Sequence, residues 1–266
     1  MLDSYTLYML SGKFVIGLLL FIRVMSMMAA APFFGNPGII NQVKVLLSVL
    51  ISITLTGAFW KEQPEINFHV WYLVLLVMKE ILIGIALGFS TNLVFHAARF
   101  AGGMIDFDMG YQTALMFDSD SDTPTLVGEF KFLIVLMVFF IINGHHFLIE
   151  GLFASVRAVP IDTMQFSESS VKIIMKMATT ILVIGIKIAA PVLVALFLTN
   201  LSLTLLARVA PQTNIFQLSF SVKIIVGILV LFVSVPLFVM VSKYAMQEMQ
   251  TEAMKLIMSL NPARAS

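Results

Sequence analysis

Long apolar stretches dominate this sequence and constrain its fold more than any other feature. Six of them approach or exceed the roughly 20 residues that an α-helix needs to cross a bilayer. They cover 14–34, 43–60, 70–95, 130–149, 173–199 and 215–241. The alternating ten-residue segments typical of a membrane β-barrel are absent from the sequence. The stretches therefore predict an all-α integral membrane protein with about six long apolar helices.

Composition supports the same class. Of the 266 residues, 59% are hydrophobic and only 12% are charged, and the mean hydropathy is +0.99. Soluble domains carry roughly 25% charged residues. The net charge of +1 provides no field that would attract nucleic acid. The chain has no cysteine, which excludes disulfides and cysteine-ligated metals.

The distribution of lysine and arginine outside the stretches predicts the orientation. One side, with both termini, holds Lys13, Lys61, Arg157, Lys172, Lys243, Lys255 and Arg264, and the other holds Lys44, Arg99, Lys131 and Arg208. The positive-inside rule then places both termini in the cytoplasm. Lys13, the apolar run after it and Ala29–Ala31 imitate a cleavable signal peptide, but Arg23 interrupts that run. We therefore expect the first stretch to be retained.

Several charges lie inside the stretches, at Arg23, Lys79, Glu80, Lys176, Lys187 and Lys223. A charge at the bilayer centre costs about 2.5–3.5 kcal/mol on insertion scales, so each should face protein or water unless it lies near a helix end and snorkels. Lys79 and Glu80 point in different directions on one helix and cannot pair with each other. They therefore need partners on other helices or other chains. Arg23, nine residues into its stretch, is the hardest to explain by snorkelling.

Prolines and glycines indicate helices that contact protein. Pro191 and Pro236 lie inside the fifth and sixth stretches and predict a kink or a break. Gly84 and Gly88 form a GxxxG pair, which allows close helix contact. After Lys243 the apolar residues recur at steps of three and four, so 242–266 is either an amphipathic helix on the membrane surface or on a partner, or the end of the sixth helix.

The third loop, 96–129, combines acidic residues with an apolar centre. Its aspartates are Asp106, Asp108, Asp118, Asp120 and Asp122, and the apolar run is Met109–Phe117. Loops of this length are usually functional or disordered, and the apolar centre favours function. The spacing from Asp118 to Glu129 resembles a calcium-binding EF-hand loop, but Thr123 replaces the glycine that the sharp turn needs. We therefore expect a solvated acidic loop and no calcium site.

No pattern in the sequence predicts catalysis, a metal site or a cofactor. His145 and His146 are adjacent and point to different faces of a helix, which makes a poor chelate. The 18 methionines are not spaced as a ligand set, and they favour packing and a deformable pore lining over copper binding. Hydrolase, Walker A and dinucleotide-binding motifs are absent from the sequence.

Motifs along nearly the whole chain resemble the FliR family of flagellar export-gate subunits, whose injectisome counterpart is the T component of type III secretion. They are Arg23, Ala31-Pro32, Lys44, Ile81–Phe89, Ala97-Ala98-Arg99-x-Ala101-Gly102, Met109-Gly110, Asn143-Gly144-His145 and Ala207–Phe216. The segment 118–124 departs from the short Asp-Pro that the resemblance leads us to expect.

The resemblance implies a single-copy subunit of a hetero-oligomeric helical assembly in the bacterial inner membrane, at the base of the flagellar basal body and raised out of the bilayer. Its partners would be the P and Q subunits, the B switch protein, unfolded proteins in transit and membrane lipid. Residues 1–172 would form a P-like portion, 173–241 a Q-like hairpin and 242–266 a tail. ATP and the proton gradient would act through other subunits.

The resemblance also implies roles for individual residues. A plug that closes the channel would include Phe107, Met109, Gly110, Tyr111, Leu115, Met116 and Phe117. Residues with subunit-interface or structural roles would be Arg23, Pro32, Lys79, Glu80, Gly84, Gly88, Arg99, Lys187, Arg208, Pro211, Gln212, Asn214 and Phe216. The alternatives are an injectisome subunit, a secondary transporter that couples ions through Glu80 and Lys187, and, more distantly, an intramembrane enzyme.

Overall fold

Seven α-helices form the part of the chain that the structure, a computed structural model, describes: residues 4–35, 38–64, 66, 68–111, 125–212 and 214–261. They are α1 (Ser4–Ala30), α2 (Asn41–Phe59), α3 (Val70–Met109), α4 (Leu126–Ile141), α5 (Gly144–Ala158), α6 (Glu168–Val209) and α7 (Ile215–Ser259). A short 3-10 turn, Trp60–Glu62, follows α2. No strand occurs among these described residues. The predicted all-α class is confirmed.

Within the described residues, five helices are long and apolar enough to cross a membrane, or six if one bent pair of helices is counted as a single span. The bent pair corrects the predicted fourth stretch, because α4 and α5 meet at an angle of 65° and do not continue one another. The break lies at Asn143, whose φ of 56° is left-handed. Asparagine tolerates this conformation better than most residues, and the helix direction changes there.

Four long helices extend well beyond their predicted stretches: α1 begins at Ser4, α6 runs from Glu168 to Val209, and α3 and α7 end later than predicted. Helix α3 continues to Met109, so the first part of the predicted third loop is helical. Helix α7 continues to Ser259, so the tail residues up to that point extend the sixth apolar helix. Pro191 and Pro236 lie inside α6 and α7 without ending either helix.

The chain divides into two compact units. Unit 1 comprises Met1–Leu93, Asn143–Ala178 and Gln247–Ser266, and unit 2 comprises Val94–Ile142 and Thr179–Met246. These units are defined by contacts between residues in the structure. The P-like, Q-like and tail portions are defined instead by the resemblance of the sequence to the FliR family. This second division stays a prediction.

In unit 1 the end of α7 is tied to the loop before α6. The Leu260 carbonyl accepts a hydrogen bond from the Gln165 N–H, and the Asn261 side chain donates to the Ala158 carbonyl at 2.8 Å. The apolar residues Met249, Ala253, Leu256 and Leu260 are buried. The apolar face of the tail is therefore covered within the chain.

In unit 2 the second half of α3 contacts α4, α6 and α7. Phe95 of α3 lies against Phe132 and Phe139 of α4, with ring centroids 5.4 and 5.9 Å apart. A Cβ built on Gly227 of α7 would lie 2.8 Å from the sulfur of Met109, so this glycine allows close approach to the end of α3. The start of the third loop is thus packed against neighbouring helices.

Candidate functional site

A buried ion pair joins three helices of unit 1. The Arg23 guanidinium donates to both oxygens of Glu80, with Nε–Oε2 at 2.5 Å and Nη2–Oε1 at 2.9 Å. It also donates to the Ser155 hydroxyl at 3.3 Å and to the Val159 carbonyl at 3.0 Å. The two side chains are 0% and 1% exposed. Arg23 and Glu80, which were expected to need partners, therefore pair with each other within the chain. A role for either residue in contacts with other subunits stays a prediction.

Lys79 has a separate partner in the loop before α6. Its ammonium donates to the Asp162 carboxylate and to the Asp162 carbonyl, both at 2.9 Å. The Tyr72 hydroxyl donates to the second carboxylate oxygen at 2.7 Å. Burial raises the pKa of Asp162, but the hydrogen bonds from Lys79 and Tyr72 lower it by more, so the pKa lies below its ordinary value. This contact holds the loop, in which Asp162 has a φ of 75°, against α3.

The pH dependence of folding should reflect this carboxylate. Because the folded-state pKa is below the unfolded value of about 3.9, the contribution to stability is present at neutral pH and is lost as the pH falls through the folded pKa. We expect Asp162→Asn to lower the melting temperature at about pH 7 and to have less effect near about pH 3. Thermal unfolding of both proteins across that range measures this, and an equal deficit at every pH would contradict it.

The GxxxG pair of α3 packs against α1. A Cβ on Gly84 would overlap the Arg23 carbonyl and lie 2.9 Å from the Met27 nitrogen. One on Gly88 would overlap the Met27 carbonyl. Pro32, just after α1, is buried. The predicted contact surface is therefore occupied by another helix of the same chain.

The base of the third loop is fixed on both sides within unit 2. The buried Asp106 carboxylate accepts the Val127 N–H at 3.0 Å and so caps the start of α4, where Thr125 provides no side-chain cap. Arg99 pairs with Glu129 at 3.0 Å. Asp106 and Arg99 thus join the helix before the loop to the helix after it.

The structure describes only part of the predicted plug. Phe107 is 72% exposed, whereas Met109 is buried. Gly110 has a left-handed φ of 81°, which glycine adopts without strain, and Tyr111 follows it half-buried. Leu115, Met116 and Phe117 lie outside the described residues, as do the aspartates Asp118, Asp120 and Asp122.

Comparison with known proteins decides the family. Residues 14–249 match the family model described as bacterial export proteins, family 1. The chain belongs to this family. Membership and the apolar helices together indicate an inner-membrane protein.

Relatives of this export protein carry flagellar and injectisome names. It is 32% identical over 218 residues to the flagellar biosynthetic protein FliR of Pectobacterium carotovorum, covering 82% of this chain and 83% of the relative. The FliR protein of Escherichia coli is 30% identical over 219 residues, covering 81% and 82%. The Yop proteins translocation protein T of Yersinia pestis is 29% identical over 203 residues, covering 75% and 74%.

The remaining predicted interface residues of the export protein lie on α6, in the connection after it and at the start of α7. Lys187, Arg208, Pro211, Gln212 and Asn214 are all exposed. The side chain of Phe216 lies outside the described part. Exposure leaves these residues available to a neighbour, and their interface role stays a prediction.

Two polar residues that organise these regions were missed in the sequence. The sequence predicts Asp106 to be one member of an acidic loop, but it lies on α3 and caps α4. In the sequence, Pro160-Ile161-Asp162 indicates only a connection between helices, whereas in the structure Asp162 binds Lys79. The sequence shows that Lys79 needs a partner, because a charge inside an apolar stretch is costly in lipid, but it does not show that the partner is Asp162.

Proposed function

We propose that this chain is a core subunit of the flagellar type III protein-export gate, where it lines and closes the channel through which unfolded flagellar proteins leave the cell. The observation that carries the proposal is the match over residues 14–249 together with relatives named as flagellar biosynthetic proteins. The partners would be the P and Q subunits and the B switch protein. The chain would contribute no catalytic step, and the carboxyl terminus would lie in the cytoplasm.

The third loop would close the channel. Its base is held by Asp106 and Arg99, while Phe107 remains exposed. A narrow apolar constriction is costly to wet and so resists ion passage. This arrangement supports a loop with fixed ends and an apolar centre that yields to a passing polypeptide.

Two other functions have weaker support. A role in an injectisome is supported by the similarity to the Yersinia pestis translocation protein, but the two more similar relatives named above are flagellar proteins. A secondary transporter would use Glu80 to couple ions. Glu80 is buried and already paired with Arg23 inside the chain, which disfavours a carboxylate that must exchange ions with water.

Mild detergent extraction of the tagged chain from its native membrane, followed by mass analysis of the intact particle, tests the assembly. We expect one copy of this chain among many small membrane subunits. A lone chain or a homodimer would overturn the proposal and favour small-solute transport.

Deletion of residues 110–116 tests the plug. We expect the membrane to leak small ions while the subunits still assemble, because the deletion removes the apolar seal and leaves the Asp106 and Arg99 contacts in place. A potential-sensitive dye or ion flux into vesicles measures the leak. The matched control replaces Asp118, Asp120 and Asp122 with asparagine, which keeps the apolar centre and should not leak. Unchanged permeability in the deletion would count against the plug.

A further inference from the structure

A groove in unit 1 runs between α1 and α2, which pack antiparallel. Lys13 lies over Trp60, a Cβ on Gly17 would lie 3.4 Å from the Thr56 hydroxyl, and Ser48 contacts Met28. The start of α1 and the end of α2 therefore lie at the same end of the pair. The groove has a volume of about 450 Å³, and Phe14, Leu18, Ser52, Ile53 and Gly57 complete its lining.

Cations surround two aromatic rings at the mouth of the groove. The ammonium of Lys13 lies 3.8 Å from the Trp60 ring centroid and that of Lys61 lies 6.0 Å from it. The Arg157 guanidinium lies 5.7 Å from the Phe59 ring. Among the described residues around Trp60, Lys13 and Lys61 carry two positive charges and the exposed Glu62 carries one negative charge. Tryptophan with lysine is typical of the level of lipid headgroups.

The walls of the groove are apolar and sterically open. Phe14 is 74% and Ile53 is 63% exposed. A Cβ on Gly57 would meet no atom within 4 Å. The hydroxyls of Ser52 and Thr56 donate to carbonyls of their own helix, at 2.9 and 2.7 Å, so they need no polar ligand.

We propose that this groove binds an anionic phospholipid, with its phosphate at Lys13 and Lys61 and one acyl chain along the groove. The two lysines at the mouth attract an anion, whereas the apolar walls suit a hydrocarbon chain, and an anionic phospholipid provides both. The lysine and arginine distribution predicts this end to be cytoplasmic, where anionic lipids give the leaflet a negative surface. The site is independent of the proposed export function.

Native mass spectrometry of the full-length chain, titrated with phosphatidylglycerol or phosphatidylcholine, tests the site. We expect wild-type protein to prefer phosphatidylglycerol. The double variant K13Q/K61Q should bind it about thirtyfold more weakly, since each basic residue near an anionic lipid surface contributes about 1 kcal/mol, or about fivefold. Its binding of phosphatidylcholine should weaken much less, because the choline group of that lipid already balances the charge of the phosphate. Gly57→Leu, which fills the groove, should weaken binding of both lipids.

The matched control, K223Q/K243Q, removes the same charge from two lysines of α7 and should retain wild-type binding. Equal loss in the control, or wild-type binding of phosphatidylglycerol by K13Q/K61Q, would overturn the site. Because the chain has no cysteine, Gly57→Cys introduces a single thiol into the groove. Efficient crosslinking of that thiol to another subunit in the membrane would show that a partner helix fills the groove, which would also overturn the proposal.

Discussion

Replacement of Glu80 by alanine is expected to lower the free energy of unfolding by about 3–5 kcal/mol, which is typical when one partner of a buried ion pair is removed. The reason is the guanidinium left behind. Arg23 is 0% exposed, and Glu80 accepts two of its hydrogen bonds. Ser155 and Val159 still accept from it, but they carry no charge to compensate the cation.

The double variant Arg23→Met/Glu80→Leu is the informative comparison. The double variant removes both charges and fills the space with apolar side chains. Its free energy of unfolding should therefore be much closer to that of the wild type than those of the single variants Arg23→Met and Glu80→Leu. Thermal unfolding of the purified chain in detergent measures all three proteins. The single variants should also weaken subunit assembly more than a replacement at the exposed Lys172 does. Intact assembly and wild-type melting in the single variants would show that the pair is dispensable.

The need for this pair could be predicted from the sequence, but its geometry could not. Insertion energetics show that Arg23 and Glu80 need partners, because a single charge among apolar residues is costly in lipid. They do not show that the two residues meet, since 57 positions separate them and periodicity carries no information about tertiary distance. The same limit applies to Lys79, whose partner Asp162 lies in a loop.

Helix existence was more predictable than helix ends. The apolar stretches located every long helix, because length and hydropathy determine which segments can cross a membrane. The ends of α3 and α7 were missed because polar residues such as Asp106 and Glu252 resemble loop or surface residues. In the structure Asp106 caps α4, and Glu252 pairs with Lys176 and Lys255. A polar residue can extend a helix when tertiary contacts satisfy it, and this cannot be seen in a local window.

Gly84 provides the second large effect. Alanine in place of an interior helical glycine gains up to about 1 kcal/mol in helix propensity. At Gly84 the added Cβ would overlap backbone atoms of α1, which cannot rotate away as a flexible side chain can. Overpacking of this kind costs about 1–3 kcal/mol. We therefore expect Gly84→Ala to destabilise the chain, and Gly84→Leu to prevent α1 and α3 from packing.

Gly57 is the matched control for Gly84, since it also lies inside an apolar helix but its Cβ would meet no atom within 4 Å. Gly57→Ala should raise the melting temperature, because the propensity gain of about 0.5–1 kcal/mol is not offset by a clash. Opposite signs at the two positions would show that close contact between α1 and α3 explains the GxxxG pair. Stabilisation by Gly84→Ala would instead mean that these helices can separate at little cost, and the Arg23–Glu80 pair that joins them would then have to be weaker than its burial implies.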